Sequence, residues 1–162
     1  MMRFIVLAAV LFLAGPVSAA DQDPFNGVWA NTAYQSSGGK QGQRLTITVR
    51  GEEETYLSEL FSAQGQRSVL TFVVRYDNMP VPGHSFIVAP DGSISQRVMS
   101  VRGRRVDAAH RVIEHMVDGK VVRRLTRSRA GDTLVSELED FDAQGKVTNT
   151  SHLVFNPAPP KP

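Results

Sequence analysis

Leu70-Thr71-Phe72-Val73-Val74-Arg75-Tyr76 sets a large apolar side chain at every second position. Side chains of an extended chain point to alternate faces, so Leu70, Phe72, Val74 and Tyr76 would share one face of a half-buried strand. The same period of two continues outward in both directions. Leu45, Ile47 and Val49 alternate with Thr46 and Thr48, and Leu134 and Leu138 alternate with Val135 and Glu137. Between such runs lie turn signals: Gly51-Glu52, Gln64-Gly65, Asp91-Gly92, Gly103, Asp118-Gly119, Gly131-Asp132 and Gln144-Gly145. Asp-Gly tolerates the positive φ that tight hairpins demand. The spacing predicts strands over 27–34, 43–50, 54–62, 67–77, 84–89, 94–102, 106–117, 120–129, 132–142 and 146–156. The segment Asn78-Met79-Pro80-Val81-Pro82-Gly83 is expected to be the one connection that is not a hairpin, since two prolines cannot sit in a central ladder. No helical periodicity competes with this pattern.

A run of consecutive antiparallel strands leaves two edges to protect, and closure on itself removes both. The expected fold is all-β: an antiparallel up-and-down barrel of 8–10 strands, with a two-sheet sandwich as the alternative. Its core is expected to hold Leu45, Ile47, Val49, Leu70, Phe72, Val74, Leu134, Leu138, Leu153 and Phe155. An outer-membrane barrel needs an apolar lipid-facing side along every strand. Strands carrying Arg123, Arg124 and Arg127, or Glu137, Glu139 and Asp140, do not offer one.

The first 20 residues read as a secretory signal. Met1-Met2-Arg3 is a short positive start, Phe4 to Ala14 is apolar, and Val17-Ser18-Ala19-Ala20 supplies small residues for cleavage near Ala19 or Ala20. The apolar run is short of the ~20 residues that span a bilayer. A periplasmic or secreted protein is therefore expected, not an integral membrane protein, with residues 21–156 as one barrel domain and 157–162 as a flexible Pro-rich tail. The chain has no Cys, which excludes disulfides and thiol acylation. Its net charge of +2 is a near balance, so nucleic acid is not an expected partner. The arginines crowd between Arg97 and Arg129, opposite an acidic stretch at 137–142, and are expected to pair with it on a solvated face.

Phe25-Asn26-Gly27-Val28-Trp29 resembles the first-strand signature of the calycin superfamily, which includes lipocalins and fatty-acid-binding proteins. The longer stretch Asp23-Pro24-Phe25-Asn26-Gly27-Val28-Trp29-Ala30-Asn31 resembles the start of a group of exported bacterial lipocalin-like proteins of uncharacterised function. Asp118-Gly119-Lys120-Val121, Ser128-Arg129-Ala130-Gly131-Asp132-Thr133-Leu134 and Gln144-Gly145-Lys146 match later hairpins of that group. The resemblance implies a barrel with Trp29 plugging its closed end and Gly27 permitting close approach. Val28 replaces a Thr, one Leu before Asn31 is missing, and no Arg is picked out to stack on the Trp as in true lipocalins.

Four residues form the candidate ligand-binding set: Trp29, Tyr76, Arg123 and Arg127. If Ala130-Gly131 is a two-residue turn, Arg127 lies opposite Leu134, Leu125 opposite Ser136, Arg123 opposite Leu138 and Arg124 opposite Glu137. Arg123, Leu125 and Arg127 then share the leucine-bearing face, the better candidate for the interior. A guanidinium fork suits a carboxylate or phosphate, and fatty-acid-binding proteins hold a carboxylate with interior Arg. The competing expectation is that Asp140 and Glu114 satisfy both arginines, or that a bulge turns them to water. An interior Arg without a partner would be costly, so removing it would raise stability. Trp29 could line a ligand wall or plug the floor, and the plug is favoured. Tyr56 or Tyr76 with an interior acid could move a proton, but no catalytic set stands out. His84, His110, His115 and His152 lack metal-site spacing and read as surface or satisfied residues, although a lone strand His such as His152 could ligate haem. No metal and no cofactor is expected.

Three functions remain. The first is binding of a small hydrophobic or amphipathic molecule, neutral or anionic, inside the barrel. The second is a protein-interaction module whose barrel is filled by its own side chains. The third is a barrel enzyme, an isomerase or lyase. Interior size separates the first two, and a convergent set of buried titratable groups would favour the third.

Overall fold

Each alternating run forms a strand in the computed structural model, which describes residues 23–158. The expected signal segment and residues 159–162 lie outside the described residues. The strands are β1 (Gly27–Asn31), β2 (Gly42–Arg50), β3 (Glu53–Phe61), β4 (Arg67–Arg75), β5 (Val81–Val88), β6 (Ile94–Arg105), β7 (His110–Val117), β8 (Lys120–Ala130), β9 (Thr133–Phe141) and β10 (Val147–Pro157). Each pairs antiparallel with the next. β1 also pairs with β10, through Trp29↔Pro157, Ala30↔Asn156 and Asn31↔Phe155, which closes a ten-stranded barrel. The structure is thus a barrel and not a sandwich.

Several boundaries differ from those expected, each for a local reason. β1 stops at Asn31, whose side chain accepts from the backbone N–H of Tyr34 at 3.0 Å and of Gln43 at 3.1 Å. This cap starts the one-turn helix α1 (Thr32–Ser36), where the pattern predicted more strand. Pro82 lies inside β5, opposite Ser100 of β6. The pairing of β5 with β4 ends at Gly83, so Pro82 needs no N–H on that side. Gly103 is no turn but lies mid-strand in β6. A Cβ there would sit 3.1 Å from both Ile113 and Val74, so the glycine admits close packing. The turn falls instead at Asp107, whose carboxylate accepts from the Ala109 N–H at 2.7 Å. β10 runs on to Pro157, and the N–H of Ala158 reaches the carbonyl of Val28 at 2.8 Å, so this part of the Pro-rich end is tied to β1.

Alternation puts Leu45, Ile47, Val49, Phe72, Val74, Leu134 and Phe155 in the core as expected, while Leu70, Leu138 and Leu153 are only half-buried. The three half-buried positions mark the upper part of the barrel. At the lower end Phe25 and Trp29 close the floor. At the upper end, where β5 turns into β6 and β9 into β10, residues 94–98 and 147–150 are exposed on both faces, so the wall stands free of packing. On the outer face two of the crowded arginines pair with Glu114, and Arg124 alone of the two also reaches the acidic stretch. Arg102 and Arg124 donate to Glu114 at 2.7 and 3.0 Å, and Arg124 also reaches Glu139 at 3.2 Å. Arg124 faces Glu139 and not Glu137. Among the described residues no helix is long and apolar enough to cross a membrane.

Candidate functional site

The β8–β9 hairpin turns at Gly131-Asp132, with Gly131 at φ +59°. The pairs are Arg129↔Leu134, Arg127↔Ser136, Leu125↔Leu138 and Arg123↔Asp140. The register is shifted by two residues from the expected one. A shift of two preserves faces, so Arg123, Leu125 and Arg127 do point inward.

Three arginines of this strand sit at three depths. Arg129 lies lowest, its guanidinium 4.4 Å from the centre of the Trp29 ring. The indole N–H donates to the carbonyl of Phe25 at 3.0 Å. Trp29 is therefore the floor plug, covered on one face by the arginine that the sequence did not single out. Arg127 lies above it with 0 % exposure. Its Nη1 donates to Glu54 at 2.7 Å, the Tyr76 hydroxyl donates to the second oxygen of the same carboxylate, and the guanidinium lies 4.4 Å over the Tyr56 ring. Burial and the Glu54 carboxylate both push the Tyr76 hydroxyl well above the usual phenol range. Arg127 Nε and Nη2 have no hydrogen-bond partner. Arg111 seals the layer from below: it donates to Asp23 at 2.9 Å and stacks 4.7 Å from Phe25 and 5.1 Å from Tyr76. An acid pairs with Arg127 as the competing expectation had it, but that acid is Glu54, while Asp140 pairs with Arg123.

Arg123 is highest. It donates to Asp140 at 2.6 Å, and Asn149 donates to the other Asp140 oxygen at 3.2 Å. The Arg123 hydrogen bond holds the Asp140 carboxyl below its usual range. Arg123 and Asp140 border a cleft of about 320 Å³ at the barrel mouth, which Arg97, Met99 and His115 also line. His115 is buried at 4 % exposure, and burial, with Arg123 and Arg127 nearby, pushes its pKa down to about 4.

The candidate set is thus divided. Arg127 and Tyr76 meet on Glu54 in a sealed layer, Trp29 lies in the floor beneath them, and Arg123 stands alone at the mouth. Sequence reasoning missed Glu54, hidden in the charged run Glu52-Glu53-Glu54, although it shares the parity of Tyr56 and Ser58. It also misread His115, expected to be a surface or satisfied residue: it shares the inward parity of Ile113, and it is buried with Nε2 unpartnered. Both signals were available in the alternation. Among the described residues no group of three or more His, Cys, Asp or Glu could hold a metal ion.

No family model and no curated protein matches this sequence. Solved structures do match in fold. One is a Schistosoma mansoni fatty acid binding protein in complex with arachidonic acid, with a TM-score of 0.52 and 15 % identity. The match covers 85 % of this chain and 98 % of that one. What the two share is the fold, a closed antiparallel barrel of ten strands in this chain.

Proposed function

We propose that the protein is exported and binds a small amphipathic molecule, apolar in body and anionic at one end, in the upper half of its barrel. One observation carries the reading. Leu70, Met99, Leu138 and Leu153 face inward yet remain half-buried, packed against the core from below but left uncovered above. A concave apolar wall with a few charged groups at its rim is the usual form of a small-molecule site. The lower half is filled by Arg127, Glu54, Tyr76 and Tyr56, so only the upper half offers room. The solved barrel that this fold resembles holds a fatty acid, which supports an apolar chain as the ligand body. Export rests on the sequence pattern of residues 1–20. Native mass spectrometry of protein recovered from its host tests both parts. The expected result is a mature chain beginning at Ala20 or Asp21 with a small molecule travelling with it. An intact Met1 refutes export. A ligand-free chain that also fails to bind C10 to C16 amphiphiles by calorimetry refutes the binding reading.

The buried Glu54, Tyr76, Arg127 and His115 give a specific reason to keep the enzyme reading second. Glu54 is engaged by both Arg127 and Tyr76 and has no access to a substrate in this arrangement. Turnover of a bound molecule, seen as a mass change on incubation, would move the enzyme reading to first place.

A further inference from the structure

We propose that the cleft at the barrel mouth is an anion site in which Arg97, Arg123 and the imidazole of His115 together hold the carboxylate of the ligand, with its chain running down past Met99 and Leu138. This rests on the ligand-binding reading and adds where the head group lies, what holds it and how binding responds to pH. The floor cannot serve, because Arg127 is fully buried and its charge is already matched by Glu54.

The cleft is built by an irregularity in the ladder. Arg123 pairs with His115, but Met116 pairs with Val121, so β8 carries Val122 as an extra residue. A bulge of this kind re-aims the side chains beside it. Here Val122 and Arg123 both border the cleft, across from Arg97 on β6. The charges do not cancel. Asp140 is the acid lining the cleft, and its two oxygens are taken by Arg123 and Asn149. Arg97 has no ion pair among the described residues, which leaves a positive excess facing an apolar wall. An anion is favoured in such a place.

His115 supplies the independent observation. Its Nε2 is buried and has no hydrogen-bond partner. Buried polar atoms in folded proteins are almost always paired, and no chain group meets this one. As Nε2–H it would donate to a ligand oxygen, the third donor beside two guanidinium groups. The groups facing the ring are Arg123 and Arg127 of β8, Asp140 of β9, Arg97 of β6 across the cleft, and the edge of Phe72 of β4 at 6.1 Å. Burial first, and then the charges of Arg123 and Arg127, keep the ring neutral at pH 7. A bound anion offsets the cations, so His115 takes up a proton on binding, and by linkage the anion binds more tightly as the pH falls.

The test is isothermal calorimetry of the mature protein with decanesulfonate, which stays ionised throughout, and with decanol as its uncharged counterpart. Wild type is expected to bind decanesulfonate about tenfold more tightly at pH 5 than at pH 7.5, with decanol unchanged. Arg97→Gln should weaken decanesulfonate ~10-fold or more, the range for a charge-assisted hydrogen bond, and leave decanol within about twofold. His115→Gln should abolish the pH gain, while Arg104→Gln, at an exposed outward position of β6, should change nothing. Should a variant fail to fold, the wild-type His115 ring nitrogens still report by NMR, and decanesulfonate but not decanol should raise the pH at which they titrate. Equal affinity for the two probes in wild type, or an unmoved His115 titration, overturns the anion site while leaving barrel binding intact. Binding of neither probe overturns the ligand reading itself, and the site with it.

Discussion

Arg127 and Glu54 are 73 residues apart in the chain and meet at full burial. Their meeting reverses what the arginine alone implied. An unpaired interior Arg would be better removed; this one holds a carboxylate that would otherwise be buried with only the Tyr76 hydroxyl for company. Breaking a buried pair from one side typically costs about 3–5 kcal/mol, whereas replacing both partners with apolar groups can be neutral. Arg127→Met should therefore lower the stability by about that amount in urea unfolding, and adding Glu54→Leu should recover most of it. A double variant no more stable than the single one would show that the two are not coupled. His115 gives a second prediction, through pH. Its folded pKa is near 4, against about 6.5 when unfolded. Between these values the unfolded chain binds a proton that the folded one refuses. Stability is thus full above pH 6.5 and falls toward pH 4, with about 2 kcal/mol lost from pH 6.5 to 4.5 in ligand-free protein. Unfolding free energies of wild type and His115→Gln at the two pH values should differ by that slope. The inward direction of Arg127 was legible from parity alone. Its partner was not, because strand alternation says which face a residue joins but not which residue of a distant strand it meets there.

Hairpins were the most legible elements, since Gly92, Gly119 and Gly145 each sit at φ between +75° and +85°, where the turn needs a glycine. Glycines used for other ends misled. Gly103 marks close packing inside β6, and no local pattern distinguishes that from a turn. α1, at five residues, is too short to show a helical period, and only the Asn31 cap betrays it. Gly42, just after this helix, is the most constrained glycine of the fold. It sits at φ +102°, and a Cβ there would lie 2.4 Å from the backbone nitrogen of Tyr34 and 2.6 Å from Asn31 Oδ1, inside the cap itself. Gly42→Ala should cost about 2–3 kcal/mol, combining backbone strain with loss of the cap. Gly51→Ala, at φ +62° with open space around it, should cost about 1 kcal/mol. Thermal unfolding of the two variants checks the order, and equal losses would mean that the cap contributes nothing.

At the scale of the whole molecule, closure followed from the need to protect sheet edges, and the structure achieves it through the short β1–β10 seam. How far the barrel is filled was not legible, because it depends on where inward residues from β3, β4, β7 and β8 stop stacking. The result is a vessel solid below and open above, with its one tryptophan at the bottom. Trp29 is buried, its N–H is bound and its ring is capped by Arg129. The protein therefore carries a single tryptophan emitter, selectable by excitation near the red edge of its absorption, and carries it at the end away from the mouth. Its emission should lie to the blue in the native state, move to the red on unfolding, and stay still when a molecule enters above. Arg129→Met should change the native intensity, which Arg123→Met should leave alone. A silent emission titration is thus what an occupied upper chamber would look like, while the same signal followed through denaturant reports the fate of the floor.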